Sequence, residues 1–313
     1  MQTYIEDFSM QYYEEVLSLW NETLIHDKIS TERFLTQIIF DENFGASLFL
    51  VALNASHTVI GFAYGIKRKQ PYLTRGLEPK RAWINMIAVA GEKQRRGIGS
   101  ALLKALELRL KQLGTEEITL CAYSPNYFTP GIDVRYESGR QFFEKHGYQQ
   151  GEAAVSMDKN LSGHVYPLEK SLEELKLEGI RIIPWKEKYS LKLIDFAESE
   201  FGGGWHRNIN HAVQSGSAKD LIFIAVDKND EVIGFCMRKI DGNDCRFGPI
   251  GVSSALRTLG IGGKLLEVML DDLQKRNILY TFFLWTSGKT IDFYKKHGFK
   301  IFRDYYLYRK EIV

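Results

Sequence analysis

Apolar residues return every three or four positions in two stretches of this chain. Leu102, Leu103, Leu106, Leu110 and Leu113 mark one helix face, stopped by Gly114. Leu265, Leu266, Met269, Leu270 and Leu273 mark another, with Asn277 near its end. A short apolar run precedes each: Ile84–Val89 before the first helix, Phe247–Val252 before the second. Runs of that length rich in β-branched residues read as strands. Further upstream the pattern predicts two hairpins. Ser47–Leu53 pairs with Val59–Ile66, and Leu221–Val226 pairs with Val232–Arg238. Helical stretches precede both, at Tyr12–Trp20 and Ser190–Phe201. Helices alternating with strands in this way predict a mixed α/β sheet.

The two halves also share letters. Val59-Ile-Gly-Phe62 returns as Val232-Ile-Gly-Phe235, and Gly97-Ile-Gly99 as Gly260-Ile-Gly262. Phe142-Phe-Glu-Lys-His-Gly-Tyr148 returns as Phe293-Tyr-Lys-Lys-His-Gly-Phe299. Three matches in one order mark an internal repeat. The first copy is longer in two places, within Lys67–Arg81 and near Ser124–Ser138, both rich in loop formers. The expected organisation is a first domain over 1–160, a linker over 161–178 and a second domain over 179–313. Gly163 and Pro167 break structure in the linker, and Ser171 is placed to cap a short charged helix there.

Composition narrows the function classes. The 313 residues carry 41 Lys plus Arg against 39 Asp plus Glu, a net charge of +2. That balance argues against nucleic acid as a partner held by bulk charge. Hydrophobic residues make up 44%, enough for a real core. Cys121, Cys236 and Cys245 are widely spaced and form no CxxC. Neither a disulfide framework nor a metal site is expected, and a reducing cytoplasm is the expected location. The first thirty residues have no apolar signal core, and no run of eighteen apolar residues occurs, so no membrane partner is expected.

The candidate chemistry sits at the glycine turns. A strand, a glycine turn and a helix N-terminus together expose backbone amides with a favourable dipole, and so suit a phosphate. A P-loop does not fit, because Gly263-Lys264 is followed by Leu265. A Rossmann turn does not fit either, since Leu102 and Leu265 stand where its third glycine belongs. Gln94-Arg-Arg-Gly97-Ile-Gly99 and Arg257-Thr-Leu-Gly260-Ile-Gly262 do fit one pattern, [QR]-x-x-G-x-[GA], each starting five residues after a strand valine. This resembles the coenzyme A pyrophosphate loop of the GNAT family, the Gcn5-related N-acetyltransferases. The resemblance covers both halves.

The resemblance implies two tandem GNAT folds, each a mixed, splayed central sheet flanked by helices. It implies acetyl-CoA or coenzyme A as cofactor and a small-molecule or peptide amine as acceptor. Backbone amides of Ile87 and Val89, and of Ile250 and Val252, would meet the acyl and pantetheine groups. The pyrophosphate would lie on Gln94, Arg95, Arg96, Gly97, Ile98, Gly99 and Ser100 in the first copy. In the second it would lie on Arg257, Thr258, Leu259, Gly260, Ile261, Gly262, Gly263 and Lys264. The family's frequent general acid, a tyrosine four residues before the final glycine, corresponds to Tyr294. The first copy has Phe143 there, which has no proton to give, so Tyr136 or a water is the alternative donor. Pro249 suits an edge or splayed strand. The base is not legible. Asp244 reads as a surface charge, His206 as part of a loop, and His146 and His297 as structural. The leading expectation is an acetyl-CoA-dependent N-acetyltransferase working by direct attack of the amine. The alternatives are a non-catalytic acyl-CoA-binding or regulatory protein, or one catalytic domain beside a structural one.

Overall fold

The computed structural model describes residues 3–312 apart from Gly203; the cap expected at Ser171 and the side chain of Thr258 lie outside the described residues. In chain order the strands are β1 (Tyr4–Asp7), β2 (Phe49–Leu53), β3 (Val59–Ile66), β4 (Arg81–Val89), β5 (Glu117–Leu120), β6 (Ile132–Asp133), β7 (Gln149–Asn160), β8 (Arg181–Pro184), β9 (Ile222–Val226), β10 (Val232–Arg238), β11 (Phe247–Val252), β12 (Tyr280–Thr286) and β13 (Lys300–Glu311). The α-helices are α1 (Tyr13–Thr23), α2 (Thr31–Phe34), α3 (Ile98–Gln112), α4 (Glu137–Lys145), α5 (Leu168–Leu177), α6 (Ser190–Phe201), α7 (Trp205–Gln214), α8 (Ala218–Leu221), α9 (Ile261–Lys275) and α10 (Thr290–Lys296). Both expected hairpins form, β2–β3 and β9–β10. Among the described residues no helix is long and apolar enough to cross a membrane.

The chain divides into two compact units, Met1–Ala154 with Asp304–Val313, and Val155–Arg303. In the first, the strands run in the order β1-β2-β3-β4-β5-β13, all antiparallel except β4 with β5. Every residue of β2 and β3 is buried, because both faces of the sheet are covered. Alternate residues split between two clusters. Phe49, Val51, Phe62 and Tyr64 join Trp20 and Phe34 on the side of α1 and α2. Leu50, Ala52 and Ala63 join Leu102, Leu103, Leu106 and Leu110 of α3.

The second unit repeats this plan with fewer strands. β8, β9, β10 and β11 form one antiparallel sheet with β11 at its edge, and β12 pairs with the end of β7. Pro249, with no N–H to offer a ladder, falls where the register of β11 against β10 shifts between Cys236 and Arg238, a bulge that leaves it unpaired. The α9 face carries Leu265, Leu266, Met269 and Leu273; the α6 and α7 face carries Phe196, Ile209 and Phe235.

The division differs from a simple head-to-tail pair. Within residues 161–178 the expected charged helix forms as α5, and the segment packs into the second unit, with Leu161 and Leu175 buried beside Ile180 and Met269. The end of the chain belongs to the first unit. Tyr308 pairs with Leu120 and Glu311 with Glu117, so β13 supplies the strand beside β5. Strand pairing ignores separation along the chain, which is why the repeat alone could not reveal it.

Candidate active site

The first unit opens at the end of β5. β4 and β5 pair from Arg81 with Glu117 to Ile84 with Leu120, and Cys121 N donates to Ile84 O at 2.9 Å. Beyond that point β4 runs on through residues 85–89, still paired with β3 but with no residue of β5 beside it. The register against β3 shifts between Tyr64 and Gly65, a bulge that bends β4 away. Ala90 N, in turn, donates to Ile60 O of β3. Alternation then sends the amides of Val89 and Ile87 to the opposite, unpaired side.

The turn after β4 is held by its own side chain. Gln94 Nε2 donates to Val89 O at 2.9 Å, closing the loop back on the strand. Gly97 follows at φ +83°, in the left-handed region where a side chain is costly, and it caps α3 with no side-chain bond to the first turn. The first amides of α3 therefore point outward at the positive end of its dipole. Arg95, also at positive φ, adds charge. His146 braces this helix against α4. Its Nδ1 donates to Phe142 O at 2.8 Å, so its Nε2 accepts from Ser100 Oγ at 3.0 Å.

Splay, loop and helix enclose one cleft with a volume of about 660 Å³. Its walls include Ile87, Val89, Gln94, Arg95, Gly97, Gly99 and Ser100, with Phe142, Phe143 and His146 from α4. The far wall, which the motifs did not announce, includes Thr23, Leu24, Asp27 and Tyr136. Tyr136 Oη accepts from His26 N at 2.9 Å. Asp133, also at the wall, is buried and committed to Arg135 at 2.6 Å.

The second unit has the matching turn. Arg257 Nε reaches Val252 O at 3.4 Å, Gly260 caps α9 at φ +73°, and Ser253 N donates to Ile233 O. The amides of Val252 and Ile250 thus face away from β10, as in the first unit. The residue before β11, Arg246, is bridged to Phe282 of β12, Phe282 N donates to Cys245 O at 3.0 Å, and the rings of Phe247 and Phe283 lie 6.1 Å apart.

Two sequence profiles match the chain: the acetyltransferase (GNAT) family over residues 6–148, and an acetyltransferase (GNAT) domain over residues 218–301. The chain belongs to the GNAT acetyltransferase family. Among curated proteins nothing matches it. Solved structures do. A GCN5-related glucosamine N-acetyltransferase region of a fungal multi-domain GH3 β-N-acetylglucosaminidase superposes with TM-score 0.82 at 19% identity, over 98% of this chain and 38% of that one. A GCN5-related N-acetyltransferase from Sphaerobacter thermophilus gives 0.75 at 16% identity, covering 99% and 95%. A tandem GNAT protein from the clavulanic acid biosynthesis pathway gives 0.68 at 14%, covering 99% and 98%. At such identities these likenesses speak to the fold.

In this GNAT protein the two expected loops differ in surroundings. Seven of the nine first-copy residues named from the sequence line the cleft; Arg96 and Ile98 do not, Ile98 being turned into the core at 6% exposure. Tyr294 does not line that cleft. It is 7% exposed, packed among Phe247, Phe283 and Phe299, and burial pushes its hydroxyl pKa up. Of the other candidates, His206 is buried on α7, and Asp244 pairs with Lys239 at 2.8 Å. His297 sits beside Gly263, and burial lowers its pKa. The three cysteines are free thiols.

Proposed function

We propose that the cleft of the first unit transfers an acetyl group from acetyl-CoA to a primary amine of a small molecule or peptide by direct attack. The observation that carries this reading is the convergence of an outward-facing glycine turn and a splayed strand on one cleft. The residues fit the group. The first-turn amides of α3, with Arg95, suit a pyrophosphate. The unpaired amides of Ile87 and Val89 suit a carbonyl oxygen and a pantetheine arm. Acetyl-CoA supplies the acyl carbon and a thiolate leaving group.

The chain's own residues do the rest. The β4 amides hold the acyl oxygen where negative charge develops. Tyr136 gives its proton to the departing sulfur. Its oxygen accepts from His26 N, which holds the ring at the wall of the cleft. Asp27 stands at the far wall, where an ammonium group would be drawn in. Tyr294, the donor that the resemblance implies, lies in the second unit outside this cleft and would serve only a reaction there, its raised pKa keeping its proton in place. Free cysteines favour a reducing cytoplasm as the setting.

The test is thiol release from acetyl-CoA with a panel of amino sugars, polyamines and peptides, with acetylated product identified by mass. Release that depends on the amine is expected. Coenzyme binding without release across the whole panel would favour the non-catalytic reading instead.

A further inference from the structure

The two units share a series of parts in the same order. β8, the 3-10 turn after it and α6 begin 177 residues after their counterparts (181 against 4, 187 against 10, 190 against 13). The same offset lays Phe201 on Leu24 and Glu200 on Thr23. In the first unit Thr23 and Leu24 line the cleft together with Ala88. The residue matching Ala88 is Gly251, one before the valine that ends each strand.

Phe201 fills the corresponding space. A Cβ at Gly251 would lie 2.3 Å from Phe201 Cζ and 2.5 Å from Cε2, far inside contact distance. The ring therefore rests where the methyl of Ala88 and the adjoining cleft lie in the first unit. Size has been exchanged between the two positions: leucine faces alanine in one unit, phenylalanine faces glycine in the other. The ring is backed by Trp205, stacked at 4.5 Å, and by Phe196 and Phe235 at 5.8 and 6.2 Å. Next to it, Glu200 accepts from Ser253 Oγ at 2.8 Å and Ser254 N at 3.0 Å, tying the end of α6 to the residues after β11. Packing and charge-assisted hydrogen bonds thus hold the ring in place. The coenzyme side is not altered in this way, since Gly260 and Arg257 keep the geometry of Gly97 and Gln94.

We propose that Phe201 is a built-in occupant of the acceptor side of the second unit, so that its loop takes coenzyme A while only the first unit admits an amine. This rests on the reading of both loops as coenzyme A sites. The pair at 201 and 251 is then the device that restricts acyl transfer to one site per chain.

The probe is coenzyme A joined through its sulfur to benzylamine by an acetamide linker, which needs both sides of a site at once. Calorimetric titration of the full chain is expected to give two coenzyme A molecules per chain but one conjugate. Phe201→Leu with Gly251→Ala installs the first unit's pair and is expected to raise the conjugate count to two, with coenzyme A still at two. The converse pair, Leu24→Phe with Ala88→Gly, is expected to abolish conjugate binding and keep both coenzyme A molecules. Two conjugates on the wild-type chain, or an unchanged count in either double variant with coenzyme A still bound, would overturn the proposal. So would a single coenzyme A per wild-type chain. If the counts hold while no amine is acetylated, the proposed function fails and this inference stands.

Discussion

Tyr308 lies near the end of the chain, yet its ring is fully buried in the first unit beside Leu110, Ile118 and Phe143. Its hydroxyl donates to Glu144 at 2.7 Å. Replacing it by alanine removes a ring worth roughly 150–250 Å² of buried surface. At roughly 25 cal/mol per Å² that is about 4–6 kcal/mol. A compact unfolded chain reduces the figure to roughly 3–5 kcal/mol, the range found when large aromatic side chains are cut to alanine. Glu144 is exposed and loses little by turning to water. The loss should fall on the first unit, although residue 308 is separated from it in sequence by the whole second repeat. Native-state hydrogen exchange read by peptide mass gives the location as well as the size. The slowest amides of α3 and β5 should exchange roughly 10²–10⁴-fold faster in Tyr308→Ala, while those of α9 and β10 change far less. If the acceleration appeared in α9 and not in α3, or stayed below about fivefold in both, the assignment of β13 to the first unit would be wrong.

Three further outcomes are expected. Gly97→Ala places a side chain at φ +83°, a strain of about 1–2 kcal/mol, and should weaken coenzyme A binding at the first loop about tenfold in calorimetry; unchanged affinity would separate that loop from the coenzyme. Tyr136→Phe should lower kcat roughly 10²-fold or more with little change in KM for acetyl-CoA, and Tyr294→Phe measured alongside identifies the donor by the larger fall. His297 has its pKa lowered by burial, so the unfolded chain takes up its proton first as pH falls. Stability of the second unit should therefore be intact above about pH 6.5 and decline as pH drops towards the lowered value. Urea titrations at pH 7.5 and 5.5 should show that decline, reduced in His297→Gln.

Local chemistry made much of this protein readable from its letters. The leucine spacing located α3 and α9, because a helix must turn one apolar face inward wherever it lies. The hairpins and the β11 strand fell within a residue or two of their observed limits, and Pro249 announced an irregular strand. The glycine turns were legible because a left-handed φ favours glycine, whatever surrounds it. The far wall of the cleft was not. Nothing in the letters of Thr23, Leu24 or Asp27 says that α1 ends against β4, since that meeting is set by packing across the sheet. Tyr136 could be named as an alternative donor, but its place at the wall and its bond from His26 came only with the fold. Nor could the sequence say that Leu24 and Phe201 stand at matched positions facing an alanine and a glycine.

The sequence by itself determined that one fold is used twice, with a glycine turn opening a helix in each copy, because turns and helix faces depend on neighbours in the chain. Tertiary structure decided which segments complete each unit and what stands opposite each turn. Strand β13 belongs with β5 through hydrogen bonds that carry no memory of sequence distance. Leucine beside alanine in one unit and phenylalanine against glycine in the other differ by the volume of a ring, and only packing can express a volume.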